Sequence, residues 1–171
     1  MSLDGLPSLS LEVAQALAKN RYPLSLNGLT TLSPEVAAAL AAHRDRDNAG
    51  LMLTGLTTIS PEAARALGRH TGGLNLAGLR SLSPETAEGL AQNRGALDFE
   101  GLTELSDETA RALIPHEGGL FLDGLKTVSP AAARALASNR VSVSLKGLTS
   151  LTDEAREVLS ANPVVALPAS L

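Results

Sequence analysis

Residues 24–44 read Leu24-Ser25-Leu26-Asn27-Gly28-Leu29-Thr30-Thr31-Leu32-Ser33-Pro34-Glu35-Val36-Ala37-Ala38-Ala39-Leu40-Ala41-Ala42-His43-Arg44, and two hydrophobic periods meet inside them. From Leu24 to Asn27 apolar residues alternate with variable ones, the period of a half-buried strand. After Ser33, Ala37 and Leu40 stand three apart and share one stripe of a helix. Gly28 lies between the halves, where the backbone has to turn, and a residue without Cβ turns most easily. Leu29 and Leu32 follow and point the connecting loop into an interior.

The helical half carries its own start signal. The Ser33 hydroxyl can accept a free N–H of the first turn. Pro34 stands at the first helical position, where a missing N–H costs nothing. Glu35 meets the positive end of the helix dipole. The same start recurs at Ser60, Ser83, Ser106, Ser129 and Thr152, with Pro61, Pro84 and Pro130 behind it and Glu62, Glu85, Glu108 and Glu154 next. The Ala/Leu pair recurs as Ala64/Leu67, Ala87/Leu90, Ala110/Leu113 and Ala133/Leu136, with Arg65, Glu88, Arg111 and Arg134 left for solvent. Each helix stops at one column: Asn20, His43, His70, Asn93, His116, Asn139 and Asn162. Three histidines in a column invite a metal or proton-relay reading. Asn holds the same column four times, so we read it as a helix-end cap in the left-handed conformation.

The dipeptide Gly-Leu sets the period. It falls at Gly5, Gly28, Gly55, Gly78, Gly101, Gly124 and Gly147, at intervals of 23 residues with one of 27. The chain is therefore a single repeat domain, 1–171, with seven 23-residue units starting near 1, 24, 51, 74, 97, 120 and 143. A four-residue insertion falls around 45–48, and a partial eighth unit covers 166–171. A helix of about nine residues is marginal alone, and so is a very short strand. Each unit must stack on its neighbours. A strand–helix–strand crossover of this length makes a parallel sheet and is right-handed by rule. The expected fold is an α/β right-handed solenoid, with a parallel sheet of short strands on one face and short helices on the other.

Composition agrees with repetition and excludes several classes. Leu and Ala supply 33 and 27 residues, while Tyr22, Phe99 and Phe121 are the only aromatics. There is no Cys, hence no disulfide framework and no thiol nucleophile. A net charge of −4 argues against a nucleic-acid footprint. No apolar run approaches the ~18 residues of a membrane span. The start Met1-Ser2-Leu3-Asp4-Gly5 lacks the pattern of a signal peptide, which leaves the cytoplasm as the default expectation. Arg outnumbers Lys 11 to 3 and Ala is abundant, a compositional hint of a high-GC bacterial gene.

The pattern resembles the leucine-rich repeat superfamily. The resemblance rests on the strand pairs Leu24/Leu26, Leu51/Leu53, Leu74/Leu76, Leu97/Phe99, Leu120/Leu122 and Val143/Leu145, the period, and the returning helix. It implies a curved solenoid with the sheet on the concave side, and a role in binding other proteins. The family's usual Asn, three residues after the second strand Leu, is replaced here by Leu29, Leu56, Leu79, Leu102, Leu125 and Leu148. Thr31, Thr58, Ser81, Thr127 and Ser150 are the expected substitutes, bonding neighbouring loop backbone.

Repeated residues build the core, so function is sought where the strands vary. Strand place two reads Ser25, Met52, Asn75, Asp98, Phe121 and Ser144; place four reads Asn27, Thr54, Ala77, Glu100, Asp123 and Lys146. Adjacent strands lie ~4.8 Å apart. The candidate partner-binding residues are Met52, Asn75, Asp98, Glu100, Phe121 and Asp123, acids around an exposed aromatic that suit a basic protein partner. Glu104 extends the patch. Carboxylates on an open sheet lack the cleft that shifts a pKa, so we expect no enzyme, no cofactor and no metal. Arg21, Arg44, Arg94 and Arg140 read as a solvated edge. Leu3, Leu6 and Leu9 are expected to face nothing, so the alternatives are an assembly module with end-to-end self-association or a fragment of a longer repeat protein.

Overall fold

The computed structural model describes residues 1–44 and 50–170. The chain alternates helix and strand: α1 Leu11–Ala18, β1 Leu24–Ser25, α2 Pro34–Ala41, β2 Leu51–Met52, α3 Pro61–Leu67, β3 Leu74–Asn75, α4 Pro84–Leu90, β4 Leu97–Asp98, α5 Asp107–Ala112, β5 Leu120–Phe121, α6 Pro130–Ala137, β6 Val143–Ser144, α7 Asp153–Ser160 and β7 Val165–Ala166. The seven strands form one parallel sheet in the order of the chain. Leu24, Leu51, Leu74, Leu97, Leu120, Val143 and Val165 stand in one row across it. Ser2 bridges Ser25 and brings the start of the first unit to the sheet edge. The insertion read around 45–48 lies outside the described residues.

Each helix begins as its sequence dictates. Ser10, Ser33, Ser60, Ser83, Ser106, Ser129 and Thr152 are extended N-caps, and each hydroxyl accepts the N–H three residues on. The carboxyls of Glu12, Glu35 and Glu85 are held below the usual range, first by their own backbone N–H and then by the cap serine. The core lies between sheet and helices. Strand places one and three are fully buried from Leu24/Leu26 through Val143/Leu145, and the helix pairs Ala37/Leu40 through Ala133/Leu136 meet them in one cluster.

The backbone turns at the glycine column as expected, but the turn itself is not what refuses a Cβ there. Among these glycines none has a positive φ; among the described residues Gly50, before β2, does, at 92°. What Gly28, Gly55, Gly78, Gly101, Gly124 and Gly147 supply is closeness. A Cβ on any of them would run into backbone oxygen of the preceding unit: at Gly78 it would overlap Thr54 O and lie 2.6 Å from Leu56 O.

The Asn/His column does end the helices, each backbone N–H closing on the carbonyl three residues before it, as His43 N does on Leu40 O at 2.9 Å. The C-cap residues before it keep right-handed φ, such as −81° at Lys19 and −79° at Ala42. The side chains of His43, His70, Asn93, His116 and Asn139 are buried. His43, His70 and Asn93 reach back to carbonyls of the preceding unit, while the Asn139 amide and the His116 ring nitrogens are buried without a hydrogen-bond partner among the described residues. Asn93 Nδ2 donates to His70 O at 2.6 Å and Gly72 O at 3.1 Å. Asn162 Nδ2 does the same to Ala137 O at 2.7 Å and Asn139 O at 3.1 Å. His43 Nε2 lies 3.1 Å from Tyr22 O, and the His43 and His70 rings stack with centroids 6.3 Å apart. A polar column thus runs through the array at the helix ends, bonded to the preceding unit at His43, His70, Asn93 and Asn162 and interrupted at His116 and Asn139. The hydroxyl column expected to do this job does not: Thr31, Thr58, Ser81, Thr127 and Ser150 are exposed and make no side-chain bond to loop backbone. Their neighbours Thr30 and Thr149 do, to Pro7 O and Lys126 O, both at 3.3 Å.

Burial holds the His116 imidazole below its ordinary pKa, against the backbone groups of Ala91, Gly119 and Asn93 and the charge of Glu117. The folded chain therefore keeps His116 neutral while the unfolded chain takes a proton near pH ~6.5. Its contribution to stability is full above that pH and is lost as pH falls through the folded pKa. His116→Asn, the residue this column uses elsewhere, should lower the acid sensitivity. Urea midpoints compared at about pH 7 and pH 5 check it: the fall should be smaller in the variant.

Candidate site on the open sheet face

Strand places two and four point away from the core, and the sheet brings Met52, Asn75, Asp98 and Phe121 into one row on β2–β5. Met52 is 40 % exposed and Phe121 39 %, the large apolar side chains standing proud of this face. Between them lies an open hollow of about 380 Å³, lined by Met52, Asn75, Ala96, Asp98, Glu100 and Phe121. Five of the six expected residues therefore share one concavity. Asp123 is not among its lining residues, and neither is Glu104.

The polar members of this row have structural duties that the sequence reading missed. The N–H at strand place four is not used by the sheet, and a side chain usually takes it. Asn75 Oδ1 accepts from Ala77 N at 3.1 Å, and Asp98 Oδ1 accepts from Glu100 N at 3.0 Å. Elsewhere the acceptor comes from one unit back. Asp123 Oδ1 accepts from Ser144 Oγ at 2.7 Å and Lys146 N at 2.8 Å. Asp4 Oδ1 accepts from Ser25 Oγ at 2.5 Å and Asn27 N at 2.8 Å, and Asn27 Oδ1 accepts from Thr54 N at 3.2 Å. The Ser25 hydroxyl, then the Asn27 N–H and Ser2, hold the Asp4 carboxyl below the usual carboxylate range. Short Asp and Asn side chains bond readily to backbone two residues on, a signal available for Asn75 and Asp98, whereas the links from Asp4, Asn27 and Asp123 cross to the next unit and leave no local signal.

The site is thus smaller and better defined than the row of variable residues. Asp123 belongs to an inter-unit link. Asn75 and Asp98 each commit one oxygen to the backbone. Met52, Glu100 and Phe121 have side chains free of these links. Among the described residues no group of His, Cys, Asp and Glu could hold a metal ion, and Asp98, Glu100 and Asp123 form none. Arg21, Arg44, Arg94 and Arg140 are exposed. Arg44 turns back to its own helix end, donating to Ala41 O at 2.7 Å and His43 O at 2.8 Å. The ion pairs among the described residues are Arg111–Glu108 at 3.8 Å and Arg134–Glu154. No helix among the described residues is long and apolar enough to cross a membrane.

The fold and the face together define a strand–helix repeat protein with one open sheet surface. Compared with known proteins, the chain matches no family model and no curated sequence.

Proposed function

We propose that the chain is a right-handed, leucine-rich-repeat-like solenoid that works as a non-enzymatic binding module, presenting its sheet face to a basic protein partner. The observation that carries this reading is the hollow with Phe121 at its rim, 39 % exposed and paired in register with Asp98. A guanidinium or ammonium group seated there meets an aromatic face and two carboxylates together. The Met52 side chain, adaptable in shape, closes the opposite side of the hollow.

A pull-down followed by titration of the captured partner tests this. Phe121→Ala should weaken binding by about 2 kcal/mol, the scale of an aromatic anchor at the centre of an interface. Asp98→Asn is the sharper variant, because it keeps the oxygen that accepts the Glu100 N–H and removes only the charge. It should weaken a basic partner and flatten the salt dependence of binding. Equal capture by the intact chain and both variants rejects the sheet face as the binding surface.

A further inference from the structure

At strand places two and four, β2 to β5 carry Asp98, Glu100 and Asp123 and no Lys or Arg. The residue before each of these strands is small: Gly50, Gly73, Ala96 and Gly119. The face is therefore recessed beside the strand starts, and Gly73 and Ala96 line the hollow there. Phe121 lies back along its own strand: a Cβ on Gly119 would touch its Cε2 at 3.6 Å. The ring walls the hollow on the β5 side, and Met52 stands on the β2 side, so most of the lining is apolar. The polar groups are few and fixed. Asp98 Oδ1 is taken by Glu100 N at 3.0 Å, which leaves Asp98 Oδ2 and the Glu100 carboxylate as acceptors. Asn75 Oδ1 is taken by Ala77 N at 3.1 Å, which leaves its amide as a donor.

We propose that this hollow takes the guanidinium of an arginine in the partner and discriminates against lysine, an inference that rests on the sheet-face reading above. The carboxylates call for a cation, and the rest of the lining decides which one. An ammonium is a compact, strongly hydrated charge with three N–H groups that point in different directions. Here the acceptors come from β4 alone. Toward Phe121, Ala96 and Met52 an ammonium would lose water and gain no oxygen. Toward β3 it would meet the Asn75 amide, an N–H where it needs an acceptor. A guanidinium is planar and more weakly hydrated. Its edge donates to Asp98 Oδ2 and to Glu100, while its face rests on the aromatic wall. Charge therefore draws either cation to the hollow, and shape and hydration hold the planar one.

NMR titration of the isotope-labelled chain tests this, with a capped glycine–arginine–glycine peptide and its lysine counterpart as probes. The Glu100 amide reports directly, because it donates to the Asp98 carboxylate. The Glu100 and Phe121 amides should shift, and the arginine peptide should bind about fivefold more tightly than the lysine peptide. Asn75→Asp keeps an oxygen for Ala77 N and gives an ammonium the acceptor it lacks. In that variant lysine should gain more than arginine, and the preference should fall to about twofold or less. Equal affinities overturn the assignment, as does a preference for lysine. So does a preference that Asn75→Asp leaves unchanged, and so does the absence of any shift at these two amides. The sheet-face reading fails separately, when capture of the partner survives both Phe121→Ala and Asp98→Asn, whichever cation the hollow prefers.

Discussion

Gly78→Ala should destabilise the protein by about 3 kcal/mol, a large effect for one methyl group. The added Cβ would overlap Thr54 O and sit 2.6 Å from Leu56 O. Both oxygens belong to backbone of the preceding unit, which is locked by its own bonds: Leu53 N donates to Asn75 O and Leu56 N to Leu53 O. No side-chain rotamer can relieve the contact, so the whole junction has to open. Gly5→Ala is the built-in control. Nothing lies within 4 Å of a Cβ there, because no described unit precedes it. That variant should be neutral or slightly stabilising, through the lower entropy of the unfolded chain. Urea unfolding of the two variants side by side measures the difference. Equal midpoints would show that the column serves the turn itself and not the approach of neighbouring units.

Asn93→Ala should cost a similar amount, about 3 kcal/mol. Asn93 is buried and its amide holds two carbonyls of the preceding unit, His70 O and Gly72 O. Alanine leaves both without a donor in a region closed to water, and leaves a void as well. Asn93→His should be milder, because imidazole fills the same place at His43, His70 and His116. Asn93→Leu restores the volume without the donor, so it separates the two causes. If leucine recovers most of the loss, the column acts by filling space. If it does not, the hydrogen bonds are what join the units there.

Much of this fold was legible because every signal is repeated. One Ser-Pro-Glu is a weak helix start. Recurring whole at Ser33, Ser60 and Ser83 and in part at Ser106, Ser129 and Thr152, it marks α2–α7, and these hydroxyls do cap in the structure. Sequence shows which positions refuse a side chain, and not what would be struck. Gly78 does lie in a turn, but the obstacle to a Cβ there is 24 residues earlier, at Thr54, where no local pattern shows it. The cross-unit bonds of the Asn/His column were missed for a related reason. Asn and His were seen at a helix end, where capping is the local explanation, and their partners belong to another unit. Asn75, Asp98 and Asp123 varied from unit to unit and were assigned to the binding face. Their bonds to Ala77, Glu100 and Lys146 divide them between scaffold and surface. Met52, Glu100 and Phe121 are exposed and their side chains take no part in these bonds.

Strand order that equals chain order has a kinetic consequence. Every hydrogen bond between strands joins residues one unit apart, so closing a junction costs the same modest loop anywhere along the molecule. Assembly can start in the middle and spread both ways, and unfolding can fray from either terminus like a zipper. Amide hydrogens of β3, β4 and β5 should therefore exchange most slowly, and those of β7 early. A broken central junction, such as one at Gly78, would divide the melt into two steps, each the cooperative unit of half an array.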